Sequence, residues 1–171
     1  MEKTDISWSN LTRWRTECHN KYGQEFDLPL IQFASPEFQK LLYPESRVLD
    51  IGASIAKTHQ KFVNQLGQKY YSLDIDPSGD FDFSSFEDIP PEEMFDVMID
   101  HQVFEHISLF SALDLLRSAY QHLHPGGSII ATVPNPAHPV RQWADATHVQ
   151  HWPYFDLYGL FREADFQVIK M

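Results

Sequence analysis

The chain has 171 residues, one cysteine and a formal charge of −11, from 13 Lys+Arg against 24 Asp+Glu. That length suits one domain with its own core, and 43% hydrophobic with 22% charged residues describes a globular rather than a disordered chain. The charge argues against an electrostatic grip on nucleic acid or an anionic membrane, no apolar run approaches a membrane span, and the polar start MEKTDISWSN with the lone Cys18 points to the cytoplasm without disulfides.

Trp8, Leu11, Trp14 or Arg15, and Cys18 recur at helical spacing, with Ser7 or Ser9 as cap and Tyr22-Gly23 as the break. A second helix starts at Ser35-Pro36, runs through Phe38 and Leu41-Leu42, and stops at Pro44. Arg47 to Gly52 reads as a buried strand running into a loop. Ile55, His59, Phe62-Val63 and Leu66 share one face, which predicts a helix over 55–66 ended by Gly67. Tyr70 to Ile75 is a second strand, completing a parallel strand–helix–strand unit.

Residues 80–96 hold seven acids and no base, so they form a surface loop with one short edge strand at Phe81-Asp82-Phe83. Phe95–Ile99 is a strand and Leu109–Leu123 a helix with Leu113, Leu116, Ala119-Tyr120 and Leu123 inward. Pro125-Gly126-Gly127 turns the chain into a strand over Ser128–Val133. A long loop from His138 to Pro153 follows, then a helix over Tyr154–Ala164 and a last strand over Phe166–Lys170. Alternating elements of this kind predict an α/β, Rossmann-like, three-layer domain with a mostly parallel sheet of six to seven strands. Residues 1–46 form an N-terminal helical segment on the core, and residues 47–171 form the main body.

In open α/β sheets, ligands bind at the carboxyl ends of the strands near the reversal of strand order. Asp50, Asp74 and Asp100 each close a strand. An acid at the end of the second strand, about 20 residues after a glycine turn, suits ribose hydroxyls. The turn Gly52-Ala53-Ser54 before the predicted helix offers N–H groups to a small anion. The run G-A-S-I-A-K lacks the later glycines of a dinucleotide fingerprint, and Asp50 suits a cationic ligand better than a pyrophosphate.

The stretches RVLDIGAS, YYSLDID, FDVMIDHQVFEHI, LHPGGSIIATVPNP and DATHVQHW with LFREADFQVIK follow one another from residue 47 onward. In that order the chain resembles the class I S-adenosylmethionine-dependent methyltransferases, particularly the type-11 and type-23 domains. The resemblance implies a seven-stranded sheet with the last strand antiparallel and S-adenosylmethionine as cofactor. It implies that Asp50 and Gly52, with Ala53 and Ser54, lie along the methionine part of the cofactor. Asp74 would bind the ribose and Ile75 pack on the adenine, whose edge would meet Asp82-Phe83 or Ser85-Phe86. Asp100, His101 and Gln102 would end a strand beside the methyl group, and His148 would face the substrate.

The reaction implied is methyl transfer to an O or N atom of a small molecule, with His101 or His148 as general base. The chain departs from the family's G-x-G-x-G turn at Ser54 and Ala56, where each Cβ crowds the cofactor's approach. It also shows no seventh strand, and an open sheet edge favours a homodimer. An inactive, methyltransferase-like binding or assembly protein is the alternative reading, and a nicotinamide-dependent oxidoreductase is a third. No metal is assigned: His122-x-His124, Asp145/His148/His151 and His101/His106 fall in loops, and His106 reads as structural.

Overall fold

A computed structural model describes residues 8–23, 35–136, 138 and 145–171. Helix α1 covers Trp8–Tyr22 and α2 covers Ser35–Gln39. Strand β1 (Arg47–Ile51) is followed by α3 (Gln60–Val63), a 3-10 turn at Asn64–Leu66 and β2 (Lys69–Leu73). Strand β3 (Phe95–His101) leads through a 3-10 turn at Phe104–His106 into α4 (Leu109–Gln121). Strand β4 (Leu123–Thr132) and helix α5 (Tyr154–Glu163) complete the described elements. The Ser7 alternative for the α1 cap, and residues 139–144 of the predicted long loop, lie outside the described residues.

The sheet runs β2-β1-β3-β4 with every pairing parallel. Its apolar strands alternate faces, so each face needs a cover. Val48, Val97 and Ile99 face α2 and α3, packing with Phe38 and Val63. Leu49, Ile51 and Met98 face the other way, in a cluster with Ala119 of α4. Beside it, Leu113 and Leu116 of α4 meet Leu157 and Leu160 of α5. This is the expected three-layer α/β architecture, with four strands among the described residues rather than six or seven.

The two missing strands have visible causes. The predicted edge strand at 81–83 is reduced to one parallel bridge, Leu73 to Phe83. The predicted strand at 166–170 is not formed: the segment has no regular secondary structure and pairs with no strand of the sheet. There the Val168 carbonyl accepts from Lys21 Nζ at 2.6 Å and Tyr22 Oη at 3.0 Å, so side chains of α1 take the acceptor a neighbouring strand would use. Helix α1 itself is fastened to α5. Arg15 grips Asp156 through two bonds of 2.6 and 3.0 Å, and Trp14 packs against Gly159, where a Cβ would sit 3.2 Å from that of Trp14.

The helix predicted over 55–66 is the largest local correction. It begins only at Gln60, and residues 54–59 are turns. Ser54 (φ 57) and Lys57 (φ 41) both take left-handed backbone, which a helix cannot contain. The bonds here are tight ones, Lys57 N–H to Ser54 O and Gln60 N–H to Lys57 O at 3.1 and 3.0 Å. Ile55, expected on the buried face, is 61% exposed. The free helix N-terminus expected just after Gly52 is therefore not formed there. Helix α2 likewise ends at Gln39, short of Leu41-Leu42.

Candidate active site at the carboxyl ends of the strands

Successive connections from β1 go to β2 on one side, while β3 pairs on its other side. The strand order thus reverses between β1 and β3, and the crevice of such a sheet opens at their carboxyl ends. Residues 50–54, 73–76, 100–103 and 132 meet at that edge. A hollow of about 400 Å³ lined by Phe86, Ile89, Ser118 and His122 lies elsewhere. His122 precedes β4 and its carbonyl accepts from Phe95 N–H, so this hollow opens at the amino ends of the strands.

The Gly52 turn is shaped by its neighbours. Its φ of +67 is left-handed, and a Cβ there would lie 2.4 Å from Val103 Cγ2. Gly52 and Ala53 N–H groups both donate to the Leu73 carbonyl, at 2.8 and 3.2 Å. Ala53 is buried and Ser54 exposed, and the Ser54 N–H donates to Asp74 Oδ2 at 2.8 Å. Asp74 Oδ1 accepts from Asp76 N–H at 2.9 Å. Each carboxylate oxygen keeps a further acceptor site, so Asp74 retains capacity for a ligand's hydroxyls. Ile75 beside it is 83% exposed, a large apolar side chain at the mouth of the site.

Asp50 and Asp100 share this edge but not a face. Asp50 stands opposite Ile99 in register, and Asp100 opposite Ile51. Asp50 turns toward α3, where Oδ1 meets His59 Nδ1 at 2.9 Å and Oδ2 accepts from Tyr70 Oη at 2.7 Å. Burial, then the Asp50 charge, pushes the Tyr70 hydroxyl far above its ordinary range, so it stays a donor. Asp50 is thus already served by the protein on both oxygens.

Asp100 is the opposite case. It is fully buried, and neither oxygen meets a hydrogen bond of normal geometry. Burial, followed by the nearby charges of Glu105 and Asp50, raises its pKa well above the usual carboxylate value, against the pull of the Val103 amide. Glu105 is 1% exposed, also with both oxygens unpartnered. Two buried carboxylates without a hydrogen bond of normal geometry are a deficit of positive charge at this end of the sheet.

His101 ends β3 half-buried, with Nδ1 2.6 Å from Thr132 Oγ1. Burial and the neighbouring His59 ring, 5.2 Å away between centroids, lower its pKa, so it is neutral near pH 7. Gln102 has a left-handed φ of 62, and its Nε2 donates to Thr132 Oγ1 at 3.3 Å. His148 lies against Glu105 and His106. Asp82 Oδ2 accepts from Ser72 N and Oγ at 2.8 and 2.7 Å, tying its loop to β2. Phe83 is drawn into the core beside Tyr71, and its N–H donates to Ser72 O at 3.1 Å. Ser85 instead caps its own turn with Asp88.

The structure adds His59, Tyr70, Glu105 and Thr132 to the residues expected from sequence. His59 was visible there only as one member of a helix face, and Tyr70 as a strand residue. The orphaned Glu105 left no signal in the sequence, since burial decides it.

The residues fit a cationic cofactor. Asp100 offers an unsatisfied buried carboxylate, Asp74 retains acceptor capacity, and Gly52 keeps the turn free of a side chain. Comparison with known proteins agrees in fold. A methyltransferase domain family model matches residues 19–171. A S-adenosylmethionine-dependent methyltransferase from Archaeoglobus fulgidus superposes with a TM-score of 0.66 at 16% identity, over 89% of this chain and 74% of that one. A candidate O-methyltransferase from Nostoc punctiforme gives 0.63 at 16% identity, over 79% of this chain and 50% of that one. No curated protein matches the chain. Among the described residues, no helix is long and apolar enough to cross a membrane.

Proposed function

The chain belongs to the methyltransferase domain family, and from that premise we propose that it transfers a methyl group from S-adenosylmethionine to an oxygen or nitrogen atom of a small molecule. The observation that carries this reading is Asp100: a buried carboxylate at the end of β3, with no hydrogen bond of normal geometry, calls for a cationic ligand. When bound, the cofactor supplies a methyl group on a positively charged sulfonium, already activated for in-line displacement.

The chain's own residues then bind, orient and move one proton. Asp100 balances the ligand's positive charge in a site of low dielectric, where that attraction is strong. Asp74 accepts from the ribose hydroxyls with lone pairs that the Ser54 and Asp76 amides leave free. Ile75, 83% exposed, offers apolar surface to the adenine. Asp82 or Ser85 lies on the loop that would meet the adenine edge. Asp50, Gly52 and Ala53 build the floor, Asp50 by holding His59 and Tyr70 in place. Gln102 holds Thr132 at the strand ends.

His101 is the general base. With Nδ1–H donating to Thr132 Oγ1, its Nε2 carries the lone pair that takes the acceptor's proton. Holding donor and nucleophile in line is the larger part of the catalysis.

The competing reading, an inactive binding scaffold, draws on the Ser54 amide already sitting on Asp74. Equilibrium titration of the purified chain with S-adenosylmethionine separates the two. Asp74→Ala lowers affinity 10- to 100-fold, about 1.4–2.7 kcal/mol. An affinity unchanged by that substitution overturns the binding mode. Cofactor binding without turnover across a broad panel of oxygen and nitrogen acceptors supports the scaffold.

A further inference from the structure

Beyond the strand ends, Glu105, His106 and His148 each place a carboxylate oxygen or ring nitrogen within 4.8 Å of the other two. Glu105 and His106 end the 3-10 turn after β3, and His148 comes from the segment before α5. The two pieces are latched together by backbone. Val149 and Gln150 N–H both donate to the Glu105 carbonyl at 2.8 and 3.1 Å, and Trp152 Nε1 donates to the Phe104 carbonyl at 2.8 Å. The approach of these three side chains is thus fixed by the fold and is not a chance meeting of surface groups.

Two independent details point to a ligand. The first is Glu105, 1% exposed with both oxygens unpartnered. The nearest basic nitrogen, His148 Nε2, is 4.0 Å away, beyond hydrogen-bond reach. The second is the tautomer of His106. Its Nδ1 lies 3.0 Å from Thr147 Oγ1 and 3.4 Å from the Thr147 carbonyl. Thr147 Oγ1 is 2.6 Å from Asp145 Oδ1, and a carboxylate only accepts, so the single hydroxyl proton goes to Asp145. Both partners of Nδ1 are therefore acceptors. Nδ1 carries the proton, and Nε2 presents a lone pair. A histidine that binds metal has its other N–H held by an acceptor in this manner.

We propose that Glu105, His106 and His148 bind one divalent transition-metal ion of the zinc class. Two imidazoles with one carboxylate suit zinc, iron or nickel, whereas magnesium and calcium take all-oxygen shells. Bonds near 2.1 Å in a tetrahedron need donors about 3.4 Å apart. The set contracts by up to about 1.4 Å, from 4.8 Å, when an ion enters. Three protein ligands leave a fourth position open to an oxygen donor. That open position would take water, or the oxygen of a methyl acceptor; the second use rests on the methyl-transfer reading, and the ion site itself does not.

The test uses the full chain stripped with a chelator and titrated with Zn²⁺ by calorimetry and with Co²⁺ by visible absorption. One ion binds per chain, with tetrahedral cobalt bands. His106→Ala and His148→Ala each weaken binding at least 10-fold, and Glu105→Gln does the same. Thr147→Val removes no ligand yet weakens binding about 10-fold, because it takes away the nearer of the two acceptors of the Nδ1 proton. His106 is exposed, so its variant folds even where the buried Glu105 variant does not. Absence of stoichiometric binding, or binding that survives both histidine variants unchanged, overturns the proposal. Titration of the metal-free chain with S-adenosylmethionine runs in parallel, so failure of the ion site is read separately from failure of the cofactor site.

Discussion

Replacing Asp100 by Asn makes the protein more stable at pH 8 while weakening its hold on the cofactor. The reason is local. Asp100 is fully buried, has no hydrogen bond of normal geometry, and faces the charges of Glu105 and Asp50. An isosteric amide removes the charge and with it the repulsion from Glu105 and Asp50. Relieving a buried, unsatisfied polar group is worth about 1–3 kcal/mol. In a domain of this size that raises the melting temperature by roughly 3–10 °C. The pH dependence has a definite sign. The folded-state pKa of Asp100 lies above its unfolded value, so the folded protein holds the extra proton. Wild-type stability is full below the unfolded carboxylate value near pH 4. It is lost as pH rises toward the raised folded value, at about 1.4 kcal/mol per pH unit. The advantage of the Asn variant therefore grows from pH 4 upward and levels off above that folded value. Scanning calorimetry of both proteins from pH 4 to 8, ligand-free, measures it. An Asn variant less stable at pH 8, or with an advantage independent of pH, refutes the reasoning.

Gly52→Ala combines a left-handed φ of +67 with a Cβ 2.4 Å from Val103 Cγ2, so it costs about 1–3 kcal/mol. Adding Val103→Ala recovers only the steric part, as urea denaturation of the single and double variants will show. Tyr70→Phe strips the 2.7 Å donor from Asp50 Oδ2 inside the core and costs about 1–3 kcal/mol in the same assay; full stability in that variant would mean Asp50 does not depend on it. The Cys18 thiol, buried and pushed up to about 11, reacts with a disulfide reagent at pH 8 far more slowly in the folded chain than in urea. Equal rates would place Cys18 at the surface.

Much of this architecture was legible in the sequence because burial wrote it in apolar runs. Val48-Leu49, Val97-Met98-Ile99 and the 3.6 periodicity of Leu113, Leu116 and Ala119 identify β1, β3 and α4 directly. Helix α4 starts where Ser108 accepts from Ser111 N–H at 3.1 Å, a cap that residue type favours. The region 54–59 was misread as helix because its apolar spacing is helical, whereas the turn answers to the end of β2: Gly52 and Ala53 donate to the Leu73 carbonyl and Ser54 to the Asp74 carboxylate, and Ser54 and Lys57 take left-handed backbone. The last segment looked like a strand from Phe166, Val168 and Ile169, yet its Val168 carbonyl is taken by α1 and the Phe166 backbone by α5.

The candidate site divides the same way. That Asp50, Asp74 and Asp100 close strands follows from sequence, because strand ends do. That Asp50 and Asp100 point to opposite faces follows only from register, where a one-residue offset decides the face. Asp50 then finds His59 and Tyr70, while Asp100 has the pull of the Val103 amide and no hydrogen bond of normal geometry. The meeting of Glu105, His106 and His148 could not be read from spacing, since some forty residues separate the two ends and tertiary hydrogen bonds, chiefly to the Glu105 and Phe104 carbonyls, join them.

The most direct measurement is calorimetric titration of the metal-free chain with S-adenosylmethionine at several pH values, in two buffers of different ionisation heat. One saturable site per chain is expected. Its affinity rises with pH, and binding releases a proton, because a cation beside Asp100 favours the ionised carboxylate. At a hundredfold excess over the dissociation constant, the ligand adds about 2.7 kcal/mol of stability. No heat at millimolar cofactor, or binding that takes up a proton and weakens with pH, contradicts the placement of a cationic cofactor at these strand ends.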